Sequence, residues 1–182
     1  MKFKLILFIA FLCCNITFGQ NPIEDIQYFE NGKIQSKKNY ILGEEDKNLT
    51  IEEYYPSGKL SSKVIMSFDG NFTEYIMTEY FENGKLKLSG SSFTENSDIR
   101  RFVSGDFYSY NFSKEGTWVE YYENGQLHYE ADFEDNKKVG EWITYFENGQ
   151  IESKGVYEEG EKKGEWITYF ETGIIESKKY YQ

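Results

Sequence analysis

Two nearly identical blocks stand in tandem near the C-terminus. Residues 140–157 read GEWITYFENGQIESKGVY, and residues 164–181 read GEWITYFETGIIESKKYY. The two blocks differ at only four positions, and their first residues are Gly140 and Gly164. A copy at a fixed period is typical of repeat architectures, in which one supersecondary unit is stacked many times. The chain is therefore expected to fold as an array of similar units.

Weaker copies of the centre of this block extend through the chain. The centre is a Tyr followed by Phe or Tyr, two further residues, a Gly, one residue and an aliphatic residue, and its six copies begin at Tyr28, Tyr54, Tyr80, Tyr121, Tyr145 and Tyr169. The third and fourth copies are separated by a much longer segment than any other two consecutive copies, which marks an insertion. We predict a repeat domain over residues 20–182, with units near residues 25–40, 51–66, 77–92, 116–133, 140–157 and 164–181 and an insertion over residues 93–115.

The loop of each unit predicts the type of turn. The loop reads Glu-Asn-Gly in four copies, Pro56-Ser57-Gly58 in one and Glu171-Thr172-Gly173 in one. A two-residue type I′ turn would place Thr172 at positive φ, which is costly for a β-branched residue. A three-residue loop with only the glycine at positive φ avoids this cost, and it places Pro56 where its fixed φ fits. The predicted turn glycines are Gly32, Gly58, Gly84, Gly125, Gly149 and Gly173.

Strand alternation then predicts pairing and faces. In the fifth unit the expected pairs are Phe146–Gln150, Tyr145–Ile151, Thr144–Glu152, Ile143–Ser153 and Trp142–Lys154. The expected core face carries Tyr145, Ile143, Ile151 and Tyr157. The other face carries an aromatic row with some polar neighbours, and this row is the candidate interaction face: Trp118, Tyr122, Trp142, Phe146, Trp166 and Phe170. The favoured alternative is that the tryptophans only pack on neighbouring strands.

The fold class expected is all-β, an elongated single-sheet antiparallel meander of six hairpins. One hairpin is not stable alone, so its neighbours must cover it. The charged connectors, such as residues 158–163, are expected to be exposed, and Lys178 and Lys179 are expected to protect an edge strand. In the insertion, the alternation over residues 107–112 indicates one more strand, or a loop that serves binding. A tolerated surface excursion is the favoured alternative.

The first 19 residues have the features of a signal peptide. Lys2 and Lys4 precede an apolar run over residues 5–14, which is too short to span a bilayer, and Thr17 and Gly19 fit a cleavage site before Gln20. A lipoprotein with a modified cysteine and an ordinary buried segment are the less favoured alternatives. The expected location is outside the cytoplasm: periplasmic, outer-membrane-associated or secreted.

Composition restricts the partners. The chain carries a net charge of −11, and removal of the signal peptide leaves 18 basic and 31 acidic residues, a net charge of −13. Such a chain repels nucleic acid and anionic membranes. Removal of the signal peptide also takes Cys13 and Cys14, the only cysteines, so the mature chain forms no disulfide. The expected partner is a protein, for which a basic surface would suit this charge, and a glycan remains an alternative.

No constellation in the sequence indicates catalysis. His128 is the only histidine, and an exposed strand residue is the favoured interpretation over a general base. The mature chain has no Cys/His cluster for a metal, and the acidic run over residues 132–136 lacks the spacing of a calcium loop. The glycines recur once per unit as turn residues rather than as a phosphate cradle. We therefore expect a protein that is not an enzyme and has no cofactor.

The recurring motif resembles a known repeat family. GEWITYFENGQI and GEWITYFETGII, with weaker copies upstream, are similar to MORN repeats and more closely to the bacterial MORN repeat variant, over about residues 25–182. The first three copies lack the leading Gly and Trp. The resemblance implies an elongated β-meander that serves as a scaffold or binding surface, and it also implies an antitoxin, because many similar bacterial proteins carry that label.

Three functions therefore remain open. The first is a non-catalytic exported scaffold that binds a protein partner through its sheet surface. The second is an antitoxin or immunity-like protein that neutralises one toxin, for which an acidic surface suits a basic partner. The third is a glycan-binding module, in which the aromatic row would stack on sugar rings.

Overall fold

The structure is a computed structural model, and it describes residues 23–40, 47–68, 72–95 and 114–182. The proposed signal peptide and most of the insertion, including the strand expected over residues 107–112, lie outside these ranges. The described chain forms twelve strands: β1 Ile23–Tyr28, β2 Ile34–Tyr40, β3 Lys47–Tyr54, β4 Leu60–Phe68, β5 Phe72–Tyr80, β6 Leu86–Glu95, β7 Gly116–Tyr121, β8 Leu127–Glu134, β9 Lys137–Tyr145, β10 Ile151–Glu158, β11 Glu161–Tyr169 and β12 Ile175–Tyr181.

The strands form one open antiparallel sheet in sequence order from β1 to β12. The two strands of each repeat unit form a hairpin. The second strand of each hairpin also pairs with the first strand of the next hairpin. The predicted all-β single-sheet meander of six hairpins is therefore confirmed. Some hairpins are longer than their predicted units: the second covers residues 47–68 rather than 51–66.

The predicted three-residue loops are confirmed at all six turns. In the fifth hairpin, the Phe146 N–H donates to the Gln150 carbonyl over 2.8 Å, and the Gly149 N–H donates to the Phe146 carbonyl over 2.8 Å. The same two hydrogen bonds recur in every unit. All six loop glycines have φ between 80° and 91°, whereas Asn148 and Thr172 do not have positive φ. Glycine adopts this φ without the clash that a Cβ would cause.

A β-bulge follows each loop, and in the fifth unit it makes the predicted register wrong beyond the first two pairs, Phe146–Gln150 and Tyr145–Ile151. Tyr145 pairs with Ile151 as expected, but Thr144 pairs with Ser153, so Glu152 is an extra residue on its strand. A bulge places two consecutive side chains on the same face of a sheet. The other hairpins have the same extra residue, and the six bulge residues are Gln35, Ser61, Lys87, His128, Glu152 and Glu176.

The bulge also reverses the predicted core. After the bulge, Tyr157 lies on the same face as Trp142, not with Tyr145 and Ile143. We call the face with Trp118, Trp142 and Trp166 the tryptophan face. The core lies on this face, in two clusters: Leu49, Ile51, Val64, Met66 and Tyr75, and Trp118, Tyr129, Ala131, Phe133, Trp142 and Trp166. Tyr145 and Ile143 are only half-buried on the opposite face.

The connections between the last three hairpins are shorter than predicted. Asp135-Asn136 and Glu159-Gly160 are two-residue turns in which both residues have positive φ. Such turns match the twist of the strands they join. Glu161 and the next two residues, which were expected in an exposed connector, therefore belong to β11, and Lys162 is half-buried.

Asparagine side chains link the loops into a second ladder along the sheet. In the fifth loop, Asn148 Nδ2 donates to the Glu171 carbonyl of the next loop over 3.0 Å, and Asn148 Oδ1 accepts from the Gln150 N–H over 2.9 Å. Asn31, Asn83 and Asn124 make the same pair of bonds. The last loop has Thr172 at this position, and no further loop follows it in the sheet.

Replacing Asn148 by Ala is therefore expected to lower the free energy of unfolding by about 1 kcal/mol, because two exposed hydrogen bonds are lost. Thr172→Ala is the matched control, since it removes the equivalent side chain where no such ladder bond exists, and it is expected to change stability by less than about 0.5 kcal/mol. Urea denaturation followed by tryptophan fluorescence measures both. Equal effects of the two substitutions would contradict a stabilising role for the ladder.

Candidate interaction groove

The three tryptophans of the candidate interaction face are buried in the sheet. Trp118, Trp142 and Trp166 lie in β7, β9 and β11 and are only 2%, 6% and 3% exposed. A Cβ built on Gly90 would lie 2.2 Å from the Trp118 ring, and one on Gly155 would lie 2.3 Å from the Trp166 ring. Each of these indoles therefore lies flat on the backbone of the preceding hairpin. Packing on neighbouring strands is the role that the structure gives them.

A second aromatic row fills the spaces between the indoles. Phe133, Tyr157 and Tyr181 follow one another at the same interval as the three tryptophans. The Tyr157 ring meets Trp142 at 5.3 Å and Trp166 at 5.0 Å, with interplanar angles of 79° and 77°. This edge-to-face geometry is favourable for aromatic pairs. The two rows together form a continuous strip that joins the fourth, fifth and sixth hairpins.

Lysines cover this strip, and we call the three whose ammonium groups lie over its tryptophans the lysine row: Lys114, Lys138 and Lys162. Their Nζ atoms lie 4.6, 3.9 and 4.0 Å from the ring centroids of the three tryptophans, in order. Each Nζ is also within 6 Å of the Phe or Tyr of the second aromatic row in its own unit. A cation above aromatic faces is attracted by their quadrupoles. The rings therefore favour a position above the aromatic strip for each ammonium of the lysine row.

The lysines of the row affect one another. Burial lowers the pKa of the Lys138 ammonium, and the positive charges of Lys162 and Lys114 lower this pKa further. The Lys138 ammonium is therefore partly desolvated and lies within electrostatic reach of the other two ammonium groups. An anion that entered this region would be attracted by all three groups.

The loop side of the same face is polar and acidic. Thr144 Oγ1 lies 2.8 Å from Ser153 Oγ, and Thr168 Oγ1 lies 2.8 Å from Ser177 Oγ. The bulge residues of these two hairpins, Glu152 and Glu176, lie next to these hydroxyl pairs and line the same open groove. The groove has a volume of about 830 Å³. It therefore has ammonium groups along one side and carboxylates along the other.

The predicted interaction residues outside the tryptophans have different environments. Phe146 and Phe170 line the groove, and Phe170 is 50% exposed. The Tyr122 hydroxyl donates to the Tyr145 carbonyl of the next hairpin over 2.8 Å, so this tyrosine connects two repeats. Only Phe170 offers a large exposed apolar surface among the six predicted residues.

His128 is half-buried at the bulge of the fourth hairpin, not exposed as expected. Its Nδ1 lies 3.1 Å from Glu120 Oε1, and its ring centroid lies 4.6 Å from that of Tyr122. Burial raises the pKa of the Tyr129 phenol, and the adjacent Glu120 carboxylate raises this pKa further. Tyr129 is therefore protonated at neutral pH. The carboxylate is engaged by both neighbours, and the cluster connects β7 to β8.

The described ranges contain neither a candidate metal cluster nor a candidate membrane helix. Within them, no group of three or more His, Cys, Asp and Glu side chains could hold a metal ion. The part of the chain that the structure describes contains no helix with the length and apolarity that a membrane span requires.

Comparison with protein families assigns the repeats. The MORN repeat variant matches residues 26–41, 47–66, 76–93, 114–135, 138–159 and 162–182. The chain belongs to the MORN repeat variant family. The six matches coincide with the six hairpins, so each MORN repeat of this chain is one hairpin. No match was found among curated proteins or among solved structures.

Three features of these MORN repeats were not predicted from the sequence. The lysine row recurs at the same interval as the tryptophans, so its period was available as a signal. The small residue beneath each tryptophan also had a signal, because Gly90, Ala131 and Gly155 each stand at the same position relative to the loop aliphatic of their unit. The bulge had no distinctive signal, since its six residues share only a polar character, which other strand residues also have.

Proposed function

We propose that this MORN repeat chain is an exported scaffold that binds a protein partner in the groove of its last three repeats. The observation that carries the proposal is the composition of the groove surface. An exposed phenylalanine, two hydroxyl pairs and charges of both signs lie on one face. Protein interfaces combine an apolar centre with a polar rim in this way.

A non-catalytic role fits the family and the chemistry of the groove. MORN repeats form repeat scaffolds and are generally non-catalytic. In the described ranges, the only histidine is engaged by Glu120, and the buried phenol of Tyr129 is held in its protonated form. These groups connect β7 to β8.

The two other functions have different standing. Neutralisation of a toxin is a specific case of binding a protein partner. The acidic charge of the chain would suit a basic toxin. Glycan stacking on the tryptophans has less support, since the three indoles are at most 6% exposed and lie beneath the lysine row.

Export is part of the proposal and depends on residues 1–19. We expect the chain isolated from the cell envelope or the medium of its source cells to begin at Gln20. Mass spectrometry of the intact protein measures this. A chain that retains Met1 or Lys2 and fractionates with the cytoplasm would contradict export.

Binding of a partner is tested by affinity capture from the envelope fraction. The baits are the unmodified chain and two matched variants. Phe170→Glu alters the groove, and Ile175→Glu alters the opposite face of the same repeat; the two residues are 50% and 48% exposed. We expect a captured protein whose yield falls about tenfold with the first variant and stays unchanged with the second. No captured protein, or a yield that neither variant changes, would count against the groove.

The captured protein then decides between a general scaffold and an antitoxin. Its gene is expressed alone and together with the repeat chain. Growth arrest that the repeat chain relieves, and that the Phe170→Glu variant does not relieve, would identify neutralisation. Normal growth in all of these cultures would contradict the antitoxin function and would be consistent with a general scaffold.

A further inference from the structure

We propose that the groove holds an α-helical segment of the partner, with acidic residues along one flank of the helix and basic residues along the other. This inference rests on the proposed function, and it specifies the chemistry of the partner. Three observations support this inference: the position of the lysine row, the position of the carboxylates and the spacing of the hairpins.

The lysine row differs from the ion-paired lysines of this acidic chain. Four of the other described lysines pair with carboxylates at 3.0, 3.0, 2.9 and 3.4 Å, namely Lys37, Lys63, Lys87 and Lys178. No ion pair joins Lys114, Lys138 or Lys162 to a carboxylate of the described residues. Each ammonium is instead held above two aromatic rings. The row therefore presents three positioned cations that lack a counter-charge in the described ranges.

The carboxylates on the opposite side select among anionic occupants. Glu152, Glu171 and Glu176 line the loop side of the same groove. A polyanion or an anionic lipid surface large enough to cover the lysine row would also meet these carboxylates, and like charges repel. An occupant with acidic groups on one flank and basic groups on the other satisfies both sides. Polypeptides carry both signs on one molecule, so a protein segment is the favoured occupant.

The spacing of the hairpins selects the conformation of that segment. Successive members of the lysine row are one hairpin apart, which is roughly 10 Å for two strands. In an α-helix, residues seven positions apart share a face and are separated by about 10.5 Å. In an extended strand, residues on one face repeat at roughly 6.8 Å or 13.6 Å, so they do not match. A helix that runs across the strands therefore matches the row.

The width of the groove also suits one helix. Lys162 and Thr168 are six residues apart on β11, which is at most roughly 20 Å along the strand. A helix with its side chains is about 10–12 Å wide. The remaining width leaves room for the lysine and glutamate side chains to reach the two flanks of the helix.

The probe is an alanine-based helical peptide with Glu-Leu-Lys at positions 2–4, 9–11 and 16–18. This pattern places three Glu on one flank, three Lys on the other and three Leu toward the groove floor, because the interval of seven keeps each type on one face. A Glu-Leu-Glu peptide and a Lys-Leu-Lys peptide of the same length are the controls. Binding is measured by fluorescence anisotropy of the labelled peptides at low ionic strength. We expect the mixed peptide to bind at least about fivefold more tightly than either control.

Matched variants of the full mature chain locate the binding. Lys138→Gln with Lys162→Gln removes two members of the lysine row and is expected to weaken binding of the mixed peptide about tenfold. Lys138→Arg with Lys162→Arg keeps the cations and is expected to bind like the unmodified chain. Lys154→Gln with Lys178→Gln makes the same charge change on the opposite face of the same two repeats, and no change in binding is expected.

A second measurement does not depend on the variants. Binding of the mixed peptide to the unmodified chain is expected to weaken about tenfold between 20 mM and 300 mM NaCl, because salt screens charge pairs that remain accessible to solvent. This result keeps the test decisive if a lysine variant folds poorly.

Several outcomes would overturn the inference. One is a Glu-Leu-Glu peptide, or a vesicle of phosphatidylserine and phosphatidylcholine, that binds more tightly than the mixed peptide and depends on the same lysines. Another is equal loss of binding in the groove and opposite-face variants. A captured partner that needs Phe170 but not the lysine row would refute the helix proposal and leave the proposed function in place. Loss of the proposed function would instead appear as capture that Phe170→Glu does not change.

Discussion

Replacing Trp142 by Ala is expected to lower the free energy of unfolding by about 4 kcal/mol. The indole is 6% exposed in β9. Its ring is 5.0 Å from that of Tyr129, 6.4 Å from that of Phe133 and 5.3 Å from that of Tyr157. Removing it leaves a cavity in the middle repeat of the aromatic strip and takes away the ring that holds Lys138.

Urea denaturation, followed by far-ultraviolet circular dichroism, measures this effect. Phe170→Ala is the control, since it removes a half-exposed aromatic side chain from the same face and is expected to cost less than about 1 kcal/mol. A Trp142→Ala protein that unfolds within about 1 kcal/mol of the unmodified chain would show that the indole is not a core residue. The expected loss of stability also means that this variant is unsuited to a binding test, whereas Phe170→Glu is suited to it.

Replacing Gly155 by Val is expected to destabilise the chain by about 3 kcal/mol. A Cβ at this position would lie 2.3 Å from the Trp166 ring, so the indole and the strand beneath it must separate. One methyl group fits at the equivalent position of the preceding repeat, where Ala131 belongs to the cluster that contains Trp142. The two further methyl groups of valine exceed that space.

The same position in the last repeat supplies a matched control. Lys179 stands at the same position relative to its loop aliphatic as Gly155, but no further tryptophan lies over β12, and Lys179 is exposed. Lys179→Val is therefore expected to change the free energy of unfolding by less than about 0.5 kcal/mol. Combining Gly155→Val with Trp166→Ala should cost clearly less than the sum of the two single effects, because the clash disappears with the indole. Strict additivity would contradict the proposed contact.

Lys179 also bears on the exposed edge that β12 forms in the described sheet. The inner repeats have Gly90, Ala131 and Gly155 where the next tryptophan must lie, and the last repeat has a charged side chain there. A long cation at this site disfavours the addition of a seventh repeat from another copy. The predicted role of Lys178 and Lys179 in edge protection therefore has a physical basis for Lys179, although it stays a prediction.

The turns could be predicted from the sequence because local chemistry decides them. Thr172 at the middle loop position argues against the two-residue turn, Pro56 fits the first position of the three-residue loop, and a glycine accepts the remaining positive φ. These constraints act within a single loop, so the rest of the fold does not change them. The all-β meander could also be predicted from the sequence. Six copies of one hairpin can each pair with the next copy, and this pairing gives a single antiparallel sheet.

The faces of the sheet could not be predicted, because one extra residue in each hairpin reverses the alternation. Glu152 and Ser153 lie consecutively on the tryptophan face, so every residue after them on β10 is on the face opposite to the one assigned. The bulge residues are Gln, Ser, Lys, His and Glu. No single residue type recurs at this position, so the sequence does not indicate the bulge. The bulge becomes visible only when the two strands are paired.

Some features of the candidate groove could be predicted from the sequence, and others could not. The period of the repeat identified the tryptophans and could have identified the lysine row, because both follow from sequence repetition. The burial of the tryptophans could not be read from the period, since it depends on Gly90 and Gly155 in the preceding hairpins. The position of the carboxylates opposite the lysines depends on the bulge as well.

By itself, the sequence determined the number of repeats, the hairpin within each repeat and the conformation of its loop, because short-range sterics and repetition set all three. Only the tertiary structure decided which face is the core, where the aromatic residues lie and which charges line the groove. Those properties depend on how a strand aligns with its neighbour, and a shift of one residue in that alignment moves every following side chain to the other face.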